Sequence, residues 1–381
     1  MRRLRLLALG SGLIFAALFP IGSAQGSAHP LECGDVITQD TKLASDLINC
    51  PGNGVVIGAD NIELDLNGHT IDGDGVLGCP DFYACDFGVD NTAGHYGVTI
   101  EGGSIRDFAT AIFVLSAHDN RISDVSSSHN ILGGLLLIDS NGSRIDGNSI
   151  SANGLTTDQA GLIVFDSRDV RIERNSVVGN GDIGMFLIGL NDSRVTGNSV
   201  SDNPEAGLIL EGSGNEVSRN RFFDNGDNIV VAGDDNIITR NEADDAVVGF
   251  GILLDGGDRN LVKGNEVDGT AQEGIRVTAF DPSTTGPAED NLIRANGVEH
   301  AQLDGILVDE TASGSLVERN VVSDAGDDGI DVEASATTLA RNLATHNADL
   351  GIEAVPGVVD RGGNRAFGNG NPAQCVGVAC T

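Results

Sequence analysis

The stretch "GMFLIGLNDSRVTGNSVSDNPEA", residues 184–206, runs directly into "GLILEGSGNEVSRNRFFDNGDN", residues 207–228. Each segment opens on a glycine, passes through alternating apolar residues and a turn, and sets an asparagine after a short polar run. Outward from this pair the opening glycine recurs as Gly134, Gly161, Gly251, Gly274, Gly305, Gly329 and Gly351, with Asn228 standing in once. The interval is 23 residues from Gly161 to Gly184, from Gly184 to Gly207 and from Gly251 to Gly274, and it lengthens to 27 after Gly134 and 31 after Gly274. A sustained period of this length marks a stacked-repeat architecture, in which no single unit can bury its own apolar face.

Within a repeat the apolar residues alternate, as in Leu208 and Leu210 or Ile330 and Val332, and a second apolar pair flanks the asparagine, as in Val195 and Val200. Period-two alternation is the strand signal. Gly, Asn, Asp and Ser fill the intervals, which suits tight turns and leaves no segment for a useful helix. Stacking the repeats aligns Asn148, Asn175, Asn198, Asn220, Asn241, Asn265, Asn296, Asn320, Asn342 and Asn364. With coils one strand spacing apart, about 4.8 Å, each side-chain amide reaches the amides above and below, so a buried ladder is expected. Ser193, beside the turn, reads as surface.

The chain resembles the right-handed parallel β-helix family, the pectin-lyase-like fold with repeats shared by NosD-like proteins. The residues that carry the resemblance are "ELDLNGHTIDG" (63–73), "GVTIEGGSI" (97–105) and the repeating glycine–apolar–asparagine pattern to about residue 370. It implies an all-β, single-stranded right-handed parallel solenoid of about twelve coils with a stacked Asn ladder and capped ends. The expected divisions are a signal peptide at 1–24, an N-terminal cap at 25–58, the β-helix at 59–370 with an insertion at 74–96, and a disulfide tail at 371–381. The family spans lyases, glycosidases, epimerases and noncatalytic surface proteins, so fold alone does not name an activity.

Three arginines precede an apolar run that ends in small residues, "MRRLRLLALGSGLIFAALFPIGSAQ", which reads as a secretory signal. No later stretch is long and apolar enough to span a bilayer as a helix. Six cysteines lie close in pairs outside the repeats, and we expect Cys33–Cys50, Cys79–Cys85 and Cys375–Cys380 in a secreted or cell-surface protein. The chain carries 22 basic and 56 acidic residues, a net charge of −34. Such a surface repels nucleic-acid backbones and favours cations or solubility.

The first strand of each coil also has an outward column: Leu136, Ile163, Phe186, Ile209, Val230, Leu253, Arg276, Leu307, Asp331 and Glu353. Its apolar half calls for a covering loop or self-association. Its C-terminal half is acidic, with Asp255, Asp304, Asp309, Glu310, Asp327, Asp328 and Glu333 nearby and the long segment "FDPSTTGPAED" (280–290) beside it. Carboxylates there suit acid/base chemistry, cation binding or sugar hydroxyls. Candidate catalytic residues are Asp328, Asp331 and Arg276; candidate substrate-binding residues are Asp304, Asp309 and Glu333; candidate calcium ligands are Asp327, Asp328 and Asp331. "GDDGID" is similar to one aspartate motif of polygalacturonase-like glycosidases, but no Gly-His-Gly, Arg-x-Lys or epimerase-like Asp-Pro-His accompanies it. The histidines are dispersed, with His300 and His346 at equivalent turn positions, and give no ligand set for a NosD-like copper role. The expected function is binding of an extracellular polysaccharide, with processing by lyase or hydrolase chemistry. The competing expectation is a noncatalytic structural or adhesion protein at the cell surface.

Overall fold

The computed structural model describes residues 30–77, 79, 85–154, 159–280 and 288–381. The expected signal peptide lies outside these residues, as do Pro80 and residues 81–84 of the insertion and 281–287 of the long segment. Leu31–Thr381 form one unit, a right-handed parallel solenoid with three strand-bearing faces and every strand pairing parallel. No described residue is helical.

The first face is a sheet of fourteen strands running from Asp35–Ile37 to Ile352–Ala354. The expected twelve coils are therefore fourteen. The difference arises at the N terminus, where the segment read as a cap already carries strands of the solenoid. Asp35–Ile37 pairs with Val55–Ile57, and Val55–Ile57 pairs with Phe87–Asn91 inside the expected insertion. Gly34, Gly54 and Gly88 hold the opening-glycine position in these early coils, but at intervals of 20 and 34 residues, so the repeat count passes over them.

The other two faces carry short strands such as Arg194–Thr196 and Ser199–Ser201, separated by the turn at Asn198. Side chains that alternate inward, including Val195, Val200, Leu208 and Leu210, are fully buried in one continuous core. At about 25 cal/mol per Å² of apolar surface, this column of aliphatic contacts is the main force holding the coils together.

The turn between the second and third faces is the expected ladder. Asn175 donates its backbone N–H and one Nδ2 proton to Asn198 Oδ1, at 2.9 and 3.0 Å. Asn198 repeats this onto Asn220 Oδ1, both at 2.9 Å, and gives its other Nδ2 proton to the carbonyl of Ile172 at 2.9 Å. The pattern continues to Asn364, and every rung is buried. Each amide from Asn148 to Asn342 thus has both protons and its oxygen satisfied, as a buried polar group requires.

Two further ladders escape the sequence reading. Asn130, Asn153, Asn180, Asn203 and Asn225 stack at the turn between the third and first faces, and Asn347 and Asn369 resume that column. Asn215, Asn236, Asn260 and Asn291 stack at the third turn. Ser193 extends this last column. It is buried, its hydroxyl accepts the N–H of Val170 and donates to the carbonyl of Asn191, and its N–H donates to Asn215 Oδ1. The surface reading of Ser193 is corrected accordingly.

The residue just before each ladder asparagine takes a left-handed conformation. Gly197 has φ 68°, but Arg174, Arg219 and Arg240 occupy the same position at φ 56–57°. Among the described residues thirteen aspartates also have positive φ, including Asp119, Asp169, Asp202 and Asp324. Short polar side chains tolerate this region better than most. Much of the acidic excess is thus turn chemistry, not a ligand site.

The three expected disulfides form. Cys375 and Cys380 bring the tail onto the last coil through bridges to Ile352 and Asn364, and Gln374 Oε1 accepts the N–H and Nδ2 of Asn369. Cys79 and Cys85 sit over the outward side of the first face, against Phe87, Phe113 and Leu136.

Candidate functional site on the first face

The outward column of the first face stacks as expected, residue on residue. Val56, Asp90, Phe113, Leu136, Ile163, Phe186 and Ile209 lie in register, followed by Val230, Leu253, Arg276, Leu307, Asp331 and Glu353. Parallel pairing brings residues 21 to 34 apart in sequence to one strand spacing. Apart from Asp90 the column is apolar up to Leu253, and it turns charged at Arg276.

Arg276 is held on three sides. Its Nη1 donates to Glu273 at 3.3 Å and its Nη2 to Asp309 at 2.8 Å. Its guanidinium lies 4.9 Å from the ring centre of Phe280 and 5.7 Å from that of Phe250. Glu273 is buried, and neither its Oε2 nor Arg276 Nε has a hydrogen-bond partner. Leu307 separates Arg276 from Asp331 in the column, so the expected catalytic trio of Asp328, Asp331 and Arg276 is not one group. Arg276 is an ion-pair partner whose fork is already occupied.

The carboxyl cluster proper lies one to two coils further on. The carboxylate oxygens of Asp328, Asp331 and Glu353 approach within 4.8 Å of one another, and so do those of Asp327, Asp328 and Asp349. The expected calcium set of Asp327, Asp328 and Asp331 is thereby divided between two triads. The reason is strand alternation: Asp327 is exposed at the turn, whereas Asp331 is two residues beyond the glycine on the strand. Either triad supplies oxygen ligands of the kind a hard divalent cation takes.

Asp328 is only 4% exposed, and its Oδ1 accepts the N–H of Leu350 at 2.7 Å. Asp304 accepts the N–H of Asp328 at 2.9 Å, and Asp227 accepts that of Phe250 at 2.7 Å. An aspartate just before the coil glycine therefore ties its coil to the next, and Asp328 has a structural duty. Burial pushes the Asp328 carboxyl up to about 8, helped by a hydrogen bond with Glu353 and the charge of Asp304. Burial and then the charges of Asp304, Glu333 and Glu353 push Asp331 up to about 7. Asp304 rises to about 6, chiefly by burial. Asp309 goes the other way: burial raises it, but the N–H and hydroxyl of Thr311 together with Arg276 outweigh that and lower it.

Of the expected substrate-binding residues, Asp304 and the exposed Glu333 face Asp331, while Asp309 is committed to Thr311 and Arg276. Glu353 and Glu273 were not among the singled-out site residues. Glu353 was legible from the column register; Glu273 carries no local motif that would mark it. The histidines are scattered in pairs with separate aspartates: His69 with Asp46, His95 with Asp60, His118 with Asp119 and His300 with Asp268.

A family model described as a right handed beta helix region matches residues 87–242 and 156–286, more than half of the chain. The chain belongs to this right-handed β-helix family. A model described as periplasmic copper-binding protein (NosD) matches residues 224–369 of the same β-helix. No curated protein sequence matches it. Among solved structures, the β-helix is similar to the A-module of Azotobacter vinelandii mannuronan C-5 epimerase AlgE4. That match has 14% identity over 92% of this chain and 90% of the other, with a TM-score of 0.49. DFA-IIIase from Arthrobacter chlorophenolicus A6 matches at 14% identity over 72% and 69% of the two chains, with a TM-score of 0.49. A double mutant of the periplasmic alginate epimerase AlgG matches at 15% identity over 86% and 74%, with a TM-score of 0.44.

Proposed function

We propose that this β-helix is an extracytoplasmic protein that binds a polysaccharide along the outer face of its C-terminal coils and hydrolyses it. The observation that carries the reading is the trio of Asp328, Asp331 and Glu353, with carboxylate oxygens within 4.8 Å of one another. Three disulfides fit an oxidising compartment.

Closely spaced carboxyls cannot all ionise near neutrality, so one retains a proton that it can give to a leaving oxygen. Asp331 is the acid: it faces outward, is only half-buried, and is pushed up to about 7. Glu353, in register on the next coil, is the carboxylate that attacks the anomeric carbon as Asp331 protonates the departing glycosidic oxygen. Water then releases the sugar while Asp331 takes back the proton. The spacing suits this retaining geometry, in which the carboxyls lie roughly 5–5.5 Å apart, better than the wider gap of an inverting pair. Asp328, buried behind them, keeps its proton and fixes the backbone of the next coil. Asp304 and Glu333 line the approach. A lyase would need a strong base and a free cation, whereas Arg276 is engaged by Glu273 and Asp309. Calcium would compete for the same carboxylates, so this reading carries the expectation that it inhibits turnover.

The test is a polysaccharide panel scored for new reducing ends and, separately, for unsaturated products. Reducing ends alone are expected, with a fall of about 100-fold or more in Asp331→Asn and in Glu353→Gln. Unsaturated products, or undiminished rates in both variants, would overturn the proposal.

A further inference from the structure

The outward column from Val56 to Glu353 contains a single basic residue, Arg276, and both arms of its guanidinium are occupied by Glu273 and Asp309. In the coils beyond it stand Asp304, Asp328, Asp331, Glu333 and Glu353, and no described side chain on this face has a free positive charge to offer an anion. A substrate carboxylate entering here would meet like charge at short range.

The same place presents an aromatic surface. Phe280 is 55% exposed although one side of its ring covers the Arg276 guanidinium. Its backbone N–H is anchored on Asp255 Oδ1 at 2.9 Å, and the buried Phe250 lies 6.4 Å away between ring centres. A large exposed aromatic held this firmly is costly to leave in water and is suited to covering the apolar face of a ligand. The negative π-face attracts weakly positive C–H edges such as those of a sugar ring. In the column, Arg276 beneath Phe280 is two coils from Asp331, roughly 10 Å at one strand spacing per coil. One polymer lying along the solenoid axis can therefore touch both.

We propose that the polysaccharide is uncharged, with one sugar ring packed on Phe280 and the hydroxyls of further units bonded to the carboxyls around Asp331. The inference rests on the polysaccharide reading of this face and adds the class of sugar and the residue that holds it. Carboxyls in this cluster both donate and accept, which matches hydroxyl groups without requiring a counter-ion.

Equilibrium binding is measured on the full chain with soluble neutral polysaccharides (galactomannan, xyloglucan, mixed-linkage β-glucan and fructan). Polygalacturonate and alginate serve as uronate probes, with calcium and with chelator. Binding of at least one neutral polymer and of neither uronate under either condition is expected. Phe280→Ala should weaken that binding about 10-fold or more, and Phe280→Trp should retain it. Uronate binding in place of neutral binding sinks the uncharged-substrate inference while leaving the polysaccharide reading intact. Neutral binding indifferent to Phe280→Ala removes Phe280 from the site. Failure of every polymer to bind overturns both readings.

Discussion

Asn198→Ala removes an interior rung of the ladder, and the structure gives the cost by counting what loses a partner. Asn198 Oδ1 accepts from the backbone N–H and from the Nδ2 of Asn175, so both of these buried donors are orphaned. The carbonyl of Ile172 and the Oδ1 of Asn220 lose a donor as well, although Asn220 keeps the N–H of residue 198. A buried donor without a partner costs about 1–3 kcal/mol, so the two orphans destabilise by about 2–6 kcal/mol. Asn148→Ala provides the internal comparison. It is the first rung, and its Oδ1 accepts only the N–H of Val125, so it orphans one donor and costs about 1–3 kcal/mol less. Ser176→Ala, at an exposed position, should cost almost nothing. Because a solenoid can open segment by segment, site-resolved hydrogen exchange around coils 175–220 is the better assay than one global melt. If Asn198→Ala matches Ser176→Ala, or costs no more than Asn148→Ala, the ladder arithmetic is wrong.

Stability should fall as pH rises from about 4 to about 8. Asp304, Asp328 and Asp331 hold their protons to about 6, 8 and 7 in the fold, whereas the unfolded chain releases them near 4. The folded state therefore binds more protons in that window. Asp331→Asn should flatten the slope of melting temperature against pH, and an unchanged slope would refute the assignment. Calcium should raise the melting temperature at pH 8, and Asp328→Asn combined with Asp331→Asn should abolish the increment; an undiminished increment in calorimetry puts the cation elsewhere. Replacing Cys79 and Cys85 by serine should loosen the packing over Phe113 and Leu136 and promote self-association, read by sedimentation velocity. A variant that sediments like the wild type argues against the bare stripe as a contact face.

The second-turn ladder was legible because its asparagine recurs at every coil from Asn148 to Asn364. The third-to-first-face ladder was not, because Ala246, Thr270, Ala301 and Ala325 interrupt it and only hydrogen bonding across coils reveals the column. Periodicity likewise put Asp331 and Glu353 in one outward line. It could not tell that Asp328, three residues earlier, is buried and bound to the next coil, since that depends on how the turn enters the strand. Glu273 was invisible for the same reason: its burial follows from the fork of Arg276, whose partners come from two coils. The early coils space their glycines Gly34, Gly54 and Gly88 irregularly, so counting repeats missed strands that pairing makes plain.

The donor direction of the ladders gives the solenoid an arrow. In the second-turn ladder each rung from Asn148 to Asn342 sends its backbone N–H and one Nδ2 proton toward the C terminus, so a chain cut between these coils would present hungry donors on one end and spare acceptors on the other. The protein quenches the donor end with side-chain oxygens: Asp360 Oδ1 receives the last proton from Asn364, and Gln374 Oε1 takes the place of the next asparagine beyond Asn369. The tail is thus a chemical terminator, as a cap is for a helix, and it is matched to polarity as well as shape. Whole coils can be gained or lost in the middle without disturbing that arrangement, because each rung reads only its neighbours. Loss of Gln374 and Asp360 would instead leave an end whose best available partner is the acceptor end of another copy, turning a closed rod into a filament that grows head to tail.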